Sequence, residues 1–181
     1  YEPRGQSLHE LFAPLAQLKQ PTYVVLGNHD QQMPGPDIDK ELRQALVDLG
    51  THLIEGALVT TPQGVRLAGL GDNWAGKDDP RFIPADGIPT VVVAHNPDSA
   101  MRLLPGQAAL VLSGHTHGGQ IRIPVLYRHA IPSRYGFDRG ESIAQTTGGP
   151  ERVYISAGIG EVGLPLRLFN PAAIDVLDLK P

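Results

Sequence analysis

The stretch Ala108-Ala109-Leu110-Val111-Leu112-Ser113-Gly114-His115-Thr116-His117-Gly118-Gly119-Gln120 places two histidines where an apolar run gives way to a glycine-rich turn. Residues 108–112 have the length and branched content of a buried strand, so both imidazoles emerge at its end. Side chains two apart on an extended backbone point the same way. Glycines on either side let the main chain turn sharply and keep bulk away from the rings, so an ion or anion has room to approach. Taken alone, His-x-His fits a polar strand end as well as it fits a metal site.

The whole chain sets bounds on that choice. With 181 residues, 41% of them apolar, it is long enough for one globular domain, 1–181, with a sizeable core. Its net charge of −4 comes with no basic run and no aromatic-basic cluster, which argues against a nucleic-acid-binding surface. There is no cysteine, which excludes disulfides, thiolate metal sites and thiol nucleophiles; metal ligands must be His, Asp, Glu or Asn. No apolar run approaches the roughly 20 residues of a membrane span.

Outward from the central stretch, two more strand ends carry histidine. Residues 22–26 read as a strand leading into Gly27-Asn28-His29-Asp30, and residues 90–94 as a strand leading into His95-Asn96-Pro97-Asp98. The first of these loops also reads as a plain turn with a solvated His, since Gly and Asn tolerate left-handed conformations. In the second, Asp98 is expected to cap a short helix through Met101, Leu103 and Leu104. Four of the seven histidines (His29, His95, His115 and His117) thus sit at strand ends beside Gly, Asn or Asp. His9, His52 and His129 do not share that placement and read as surface residues. Convergence of four on one sheet edge is better explained by a metal site, where neutral imidazoles and an amide oxygen suit borderline divalent ions.

The remaining segments supply a scaffold. Ser7 and Glu10 have capping-box spacing ahead of a helix whose apolar face is Leu8, Leu11, Phe12, Leu15 and Leu18, stopped by Pro21. Asp37 is placed to cap a second helix with Ile38, Leu42, Leu46 and Leu49 buried. Residues 57–61 and 65–70 form a hairpin, closed by Gly71-Asp72-Asn73-Trp74, where Trp74 reads as a packing ring. Towards the C-terminus, 120–124, 152–156, 166–169 and 173–179 are expected as strands completing an antiparallel meander. Residues 127–150, with Arg128, Arg134 and Arg139, read as a long irregular segment, either a lid or a solvated loop.

Gly-Asn-His-Asp, then a strand-end His, then Gly-His-Thr-His-Gly-Gly-Gln, in that order, resembles the calcineurin-like metallophosphoesterase family. His95-Asn96-Pro97-Asp98 and Gly163-Leu164-Pro165-Leu166-Arg167-Leu168-Phe169 are similar to its bacterial YaeI/YkuE-type phosphodiesterase branch. The resemblance implies an α/β fold, a sandwich of two mixed β-sheets flanked by helices, and two divalent metal ions, Mn, Fe or Zn, at the sheet edge. It implies Asn28, His95 and His115 as ligands of one ion and His117 as a ligand of the other. His29, paired with Asp30, would contact the phosphate and protonate the leaving oxygen, while water activated at the dinuclear centre attacks. The implied substrate is a phosphodiester or pyrophosphate, either a small molecule or lipid-linked.

The sequence departs from the family pattern at one end. The Asp-x-His pair and the Gly-Asp motif that the family places before Gly-Asn-His-Asp are absent, and Gly71-Asp72 stands in the wrong order. An N-terminally incomplete domain, lacking its first β-α-β portion, is therefore expected, with weak or no activity from this chain alone and a location either cytoplasmic or membrane-peripheral. Two other readings stand beside the phosphodiesterase. One is an inactive metal-binding remnant serving as an interaction module, and the other is a hydrolase using a single ion.

Overall fold

A computed structural model describes residues 5–180 of the chain. In chain order, α1 (Leu8–Phe12) leads to β1 (Tyr23–Val24), and α2 (Asp39–Asp48) leads to β2 (His52–Leu53). β3 (Leu58–Thr60) and β4 (Arg66–Gly69) follow, then β5 (Thr90–Val93), β6 (Leu110–Ser113), β7 (Gly140–Thr146) and β8 (Gly149–Ile155). β1 and β2 pair in parallel across α2, and the other six strands form one mixed sheet in the order β3-β4-β5-β6-β8-β7. β4, β5, β6 and β8 run parallel, with β3 and β7 antiparallel at the edges. This is the expected α/β character. Among the described residues the second sheet is the short β1–β2 pair.

A row of fully buried side chains crosses the centre of the large sheet. Register aligns Ala68 with Val92, Val92 with Val111, and Val111 with Val153, and all four are at most 1% exposed. Branched side chains suit such a row because they pack on a pleated surface and lose little freedom there. Ala100 and Leu103 on the 3-10 segment after β5, together with Ile83 and Phe137, cover the row. A separate cluster of Leu8, Leu26, Leu42, Ala45 and Leu46 joins α1 and α2 to the β1–β2 pair. Parallel strands in one sheet must all release their chain at the same edge, which is where loops carrying chemistry collect. That edge receives residues 70–74, 94–98, 114–120 and 156–160.

Several expected elements are shorter or different. The Ser7–Glu10 capping box forms, but the first helix is α-helical only to Phe12 and then tightens to a 3-10 turn at Ala13–Gln17. Pro14 is the reason, since it lacks an N–H and its ring crowds the preceding turn. Leu11 and Leu18 are left exposed. The Asp37 carboxylate accepts from the Asp39 amide one turn ahead of α2, whose N-cap is Ile38. Asn96, not Asp98, caps the turn after β5; the Asp98 carboxylate instead accepts from Ser133 Oγ at 2.6 Å and the Arg134 amide at 2.8 Å. The segment 127–150 is not wholly irregular, because 140–146 is β7, hairpin partner of β8. No meander forms from 120–124, 166–169 and 173–179. The described residues there show one parallel bridge, Ile121 to Leu168. Pro124 ends the first of these segments and removes an amide donor that a ladder would need.

The two sheets meet where residues 54–57 cross the end of β4. Gly56 donates to the Gly69 carbonyl, Gly69 donates to the Ala57 carbonyl, and a Cβ on Gly69 would stand 2.2 Å from the Ile54 carbonyl oxygen. Main chain lies on both sides, so neither can yield cheaply. Gly69→Ala is expected to cost about 3 kcal/mol or more, at the upper end for overpacking. Urea unfolding checks this, and a midpoint equal to that of the parent would contradict the crossing.

Candidate metal centre

Asn28 is delivered by β1. Leu26 is buried at 2% exposure, Gly27 follows, and Asn28–Asp30 form a single 3-10 turn. The Asp30 carboxylate closes that turn by accepting from the Gly27 amide at 2.8 Å. Asn28 is 1% exposed, and its Nδ2 donates to the Met33 carbonyl at 2.5 Å. Only the amide nitrogen can make that bond, so the amide is oriented and Oδ1 faces inward. It lies 2.9 Å from Nε2 of His95. His95 reaches this position by lying against Gly27, where a Cβ would come within 2.6–2.8 Å of three ring atoms.

His115 completes the cluster, with Nδ1 3.0 Å from His95 Nε2 and the two rings edge to face, centroids 4.9 Å apart. Its route differs from the one expected. The backbone is not extended here, since His115 and His117 adopt left-handed φ of 66° and 51°. The paired imidazoles therefore reach one place through two strained turns, not through strand alternation. Non-glycine residues held in that region cost of order 1–3 kcal/mol each and collect at functional sites.

Protons are one too few for these contacts. Burial, reinforced by the neighbouring rings of His115, His117 and His29, pushes His95 down to about 3; burial and then His117 push His115 down to about 4, against Asp98 and the Pro132 backbone. Both rings are neutral at pH 7 and carry one N–H each. If His95 Nε2 bears its proton, that proton serves Asn28 Oδ1 or His115 Nδ1 but is not aimed at both. If it does not, lone pairs face each other across 2.9 Å. Either way one contact between electron-pair donors is unmet. A cation satisfies all three donors at once. Separations of 2.9 and 3.0 Å are those of neighbouring ligand atoms around an ion with bonds of about 2.1 Å near right angles. Among the described residues no three His, Cys, Asp or Glu side chains form a metal cluster by themselves, so the amide oxygen of Asn28 is needed to reach three donors.

A cavity of about 430 Å³ opens above the cluster, lined by Asn28, His29, His115 and His117 with Trp74 and Leu164 among its walls. His95 lies below it. His117 Nδ1 is 3.0 Å from the Gly160 carbonyl and His29 Nδ1 is 2.8 Å from the Pro34 carbonyl. A carbonyl only accepts, so in each ring Nδ1 carries the hydrogen and Nε2 the lone pair. Burial lowers the His117 pKa as well. Asp30 does not orient His29 by a hydrogen bond, as the expected pairing required; its carboxylate is taken by the Gly27 amide, and the Pro34 carbonyl holds the ring. Asp72 is fully buried at the end of β4, where desolvation raises its pKa, and it does not line the cavity.

Three further residues build the site. Trp74 is more than a packing ring: it meets His115 edge-on at 4.9 Å and forms a wall of the cavity. The Gln120 side chain is 8% exposed; its Nε2 donates to the carbonyls of Val162, Leu164 and Leu166, and its Oε1 accepts from the Val162 amide. One amide thus fastens the whole 162–166 loop to the site. Asn170, 1% exposed, donates to the His117 carbonyl at 2.6 Å and accepts from Arg139. The Gln at the end of Gly-His-Thr-His-Gly-Gly-Gln was the available sequence signal for the first anchor; nothing in the sequence distinguished Asn170.

Comparison with known proteins places the chain in a family. The family model for calcineurin-like phosphoesterase matches residues 3–119, and the chain belongs to that family. It is 30% identical over 173 residues to phosphodiesterase YaeI of Escherichia coli K12, covering 94% of this chain and 62% of the relative. The uncharacterized metallophosphoesterase YkuE of Bacillus subtilis is also 30% identical, over 177 residues, 96% of this chain and 59% of YkuE. The UDP-2,3-diacylglucosamine pyrophosphatase LpxG of Chlamydia trachomatis is 28% identical over 71% of this chain and 40% of its own length. The chain thus spans about three fifths of the length of the first two relatives. No solved structure matches it. Membership of a metallophosphoesterase family implies divalent metal ions.

The low imidazole values set a pH dependence. Unfolded histidine titrates near 6.5, so between that value and the folded values the unfolded chain binds more protons. Stability of the metal-free chain therefore falls as pH drops below 6.5, by on the order of 2 kcal/mol per imidazole at pH 5. Thermal melts in chelator at pH 7 and pH 5 are expected to show this fall, and His95→Gln to flatten it. Equal slopes for parent and variant would place the titrating groups elsewhere.

Proposed function

We propose that the protein is a metal-dependent phosphoester hydrolase, a phosphodiesterase, in which Asn28, His95 and His115 hold one divalent ion. The observation that carries this reading is the shortage of protons among three converging donor atoms beneath a cavity. Mn, Fe and Zn all suit two imidazole nitrogens and an amide oxygen. An ion bound there supplies Lewis acidity towards a phosphoryl oxygen and an activated water.

The chain's own residues do the rest. Asn28, with its amide pinned by Met33, presents oxygen and not nitrogen to the ion. His117 lines the cavity with Nδ1 held by the Gly160 carbonyl, so its Nε2 lone pair would be the atom to hold a second ion. The further ligands implied for that ion, an Asp-x-His pair and a Gly-Asp aspartate, are not supplied by this sequence ahead of Gly27. His29 is fixed through Nδ1 by the Pro34 carbonyl, so its protonated form carries a transferable proton on Nε2 and serves the departing oxygen as general acid. Asp30 supports it indirectly by closing the turn that carries it. The apolar walls Ile121, Val162 and Leu164 favour a substrate with an apolar portion next to the phosphate, a small molecule or lipid-linked. The names of YaeI and LpxG support a diester or a pyrophosphate as the bond cut. A single-ion hydrolase is the second reading, favoured by the three-donor cluster of Asn28, His95 and His115.

Metal analysis after equilibration with Mn and desalting tests the assignment. Parent chain is expected to retain one ion, with His95→Ala and His115→Ala losing it and His29→Ala keeping it. An equal content in all four would remove the cluster from the account. His29→Ala should lower turnover of an alkyl phosphodiester by roughly 10²–10⁴-fold, the range for a lost general acid. The loss should be smaller for bis-nitrophenyl phosphate, whose leaving group needs little protonation. Equal losses on both substrates would reassign His29 to binding.

A further inference from the structure

The segments that wall the cavity also carry exposed apolar side chains beyond it, and of these only Leu164 has a part in the proposed chemistry. Val125 is 76% exposed, Leu126 62%, Leu164 63% and Phe169 72%. They come from two segments that the chain brings side by side. The Arg122 amide donates to the Leu168 carbonyl, the Leu168 amide donates to the Gln120 carbonyl, and Val125 and Phe169 line one shallow cavity with Arg122 and Arg128. The patch is continuous with the site, because Ile121, Ala130, Val162 and Leu164 on the same two segments wall the catalytic cavity. Val125 and Phe169 also sit at left-handed φ of 72° and 54°. A β-branched residue in that region is a true outlier, and strain of that kind at an exposed tip calls for a use.

Charge identifies the partner. The chain carries −4 overall, yet residues 99–137 contain no Asp or Glu and do contain Arg102, Arg122, Arg128, Arg134 and His129. Arg128, His129 and Arg134 are exposed. Arg122 is stacked over the Tyr127 ring at 3.9 Å and paired with Asp138, and Asp98 is buried against Ser133 and Arg134. Glu161 is the exposed acid at the edge of the second segment. An apolar tip with exposed cations on the same segment fits a surface that is apolar within and anionic at its boundary. We propose that this face docks on the surface of an anionic lipid bilayer, with Val125, Leu126, Leu164 and Phe169 entering the acyl boundary and Arg128 and Arg134 meeting lipid phosphates. A second copy of the chain fits poorly, since a two-fold contact through the same patch sets like charges against each other. Among the described residues no helix is long and apolar enough to cross a bilayer, so the contact is peripheral. Docked in this way, the cavity opens at the level where a lipid-linked phosphate lies, although the docking itself is independent of the hydrolase reading.

Co-sedimentation with sucrose-loaded vesicles tests the docking, in chelator so that neither metal nor turnover enters. Vesicles of equal parts phosphatidylcholine and phosphatidylglycerol are expected to bind the chain at least about tenfold more tightly than phosphatidylcholine alone, with the difference shrinking as salt rises. Val125→Asp with Leu126→Asp, and separately Arg128→Glu with Arg134→Glu, should each reduce binding at least about tenfold while leaving the thermal midpoint unchanged. Parent protein that binds neither vesicle, or variants that bind as the parent does, would overturn the proposal. So would a dimer formed without vesicles and abolished by Val125→Asp with Leu126→Asp, which would make a second copy the occupant. None of these outcomes alters the metal contents on which the hydrolase reading stands.

Discussion

Three electron-pair donors, Asn28 Oδ1, His95 Nε2 and His115 Nδ1, lie within 3.0 Å of their neighbours with too few protons to satisfy them. Buried polar groups left unmet are costly, and lone pairs set face to face are worse than merely unmet. The arrangement persists because each donor is fixed by something behind it. Met33 holds the Asn28 amide, the bare Gly27 backbone lets His95 lie flat against it, and left-handed turns swing His115 inward. On the proposed assignment, a divalent cation would satisfy all three donors at once, which would make the metal part of the physics of the site as much as of its chemistry.

The sheet exists, in functional terms, to bring those donors to one edge. β5 and β6 are parallel neighbours, so the residues that follow them leave on the same side, and the row Ala68, Val92, Val111 and Val153 fixes their relative height. Asn28 comes from the other sheet, and the crossing of residues 54–57 over Gly69 ties the two together. The loop 162–166 is then fastened over the cavity by the single side chain of Gln120. Disturbing any of these leaves the ligands in the chain but not in contact.

Much of this was legible in the sequence because strand-end residues declare themselves by position. The runs before Asn28, His95 and His115 are apolar and branched, and their register follows from burial. What was not legible is backbone conformation within a turn and whatever depends on contacts far along the chain. The left-handed turns at His115 and His117 leave no mark in a pattern read by alternation. Pro14 outweighed the apolar spacing that promised a longer first helix. Asp98 and Asp30 have local partners by spacing, yet the first tethers Ser133 and the second only closes its own turn. Asn170 is an anchor for His117 from more than fifty positions away, and no local signal identifies it. The C-terminal segments looked like strands by composition but lie as loops: Gln120 pins 162–166 beside the cavity, and Asp175 is held by Tyr154 and Ser156 at the end of β8.

The central claim is that Asn28, His95 and His115 share one ion. X-ray absorption at the zinc edge of the chain loaded with a single equivalent of Zn measures this directly, since imidazole rings bound to a metal give a distinctive multiple-scattering pattern. The account predicts two imidazoles with nitrogen at about 2.0–2.1 Å and an oxygen-rich remainder. One imidazole should vanish in His95→Gln. A spectrum with no imidazole scattering, or one unchanged in that variant, would contradict it.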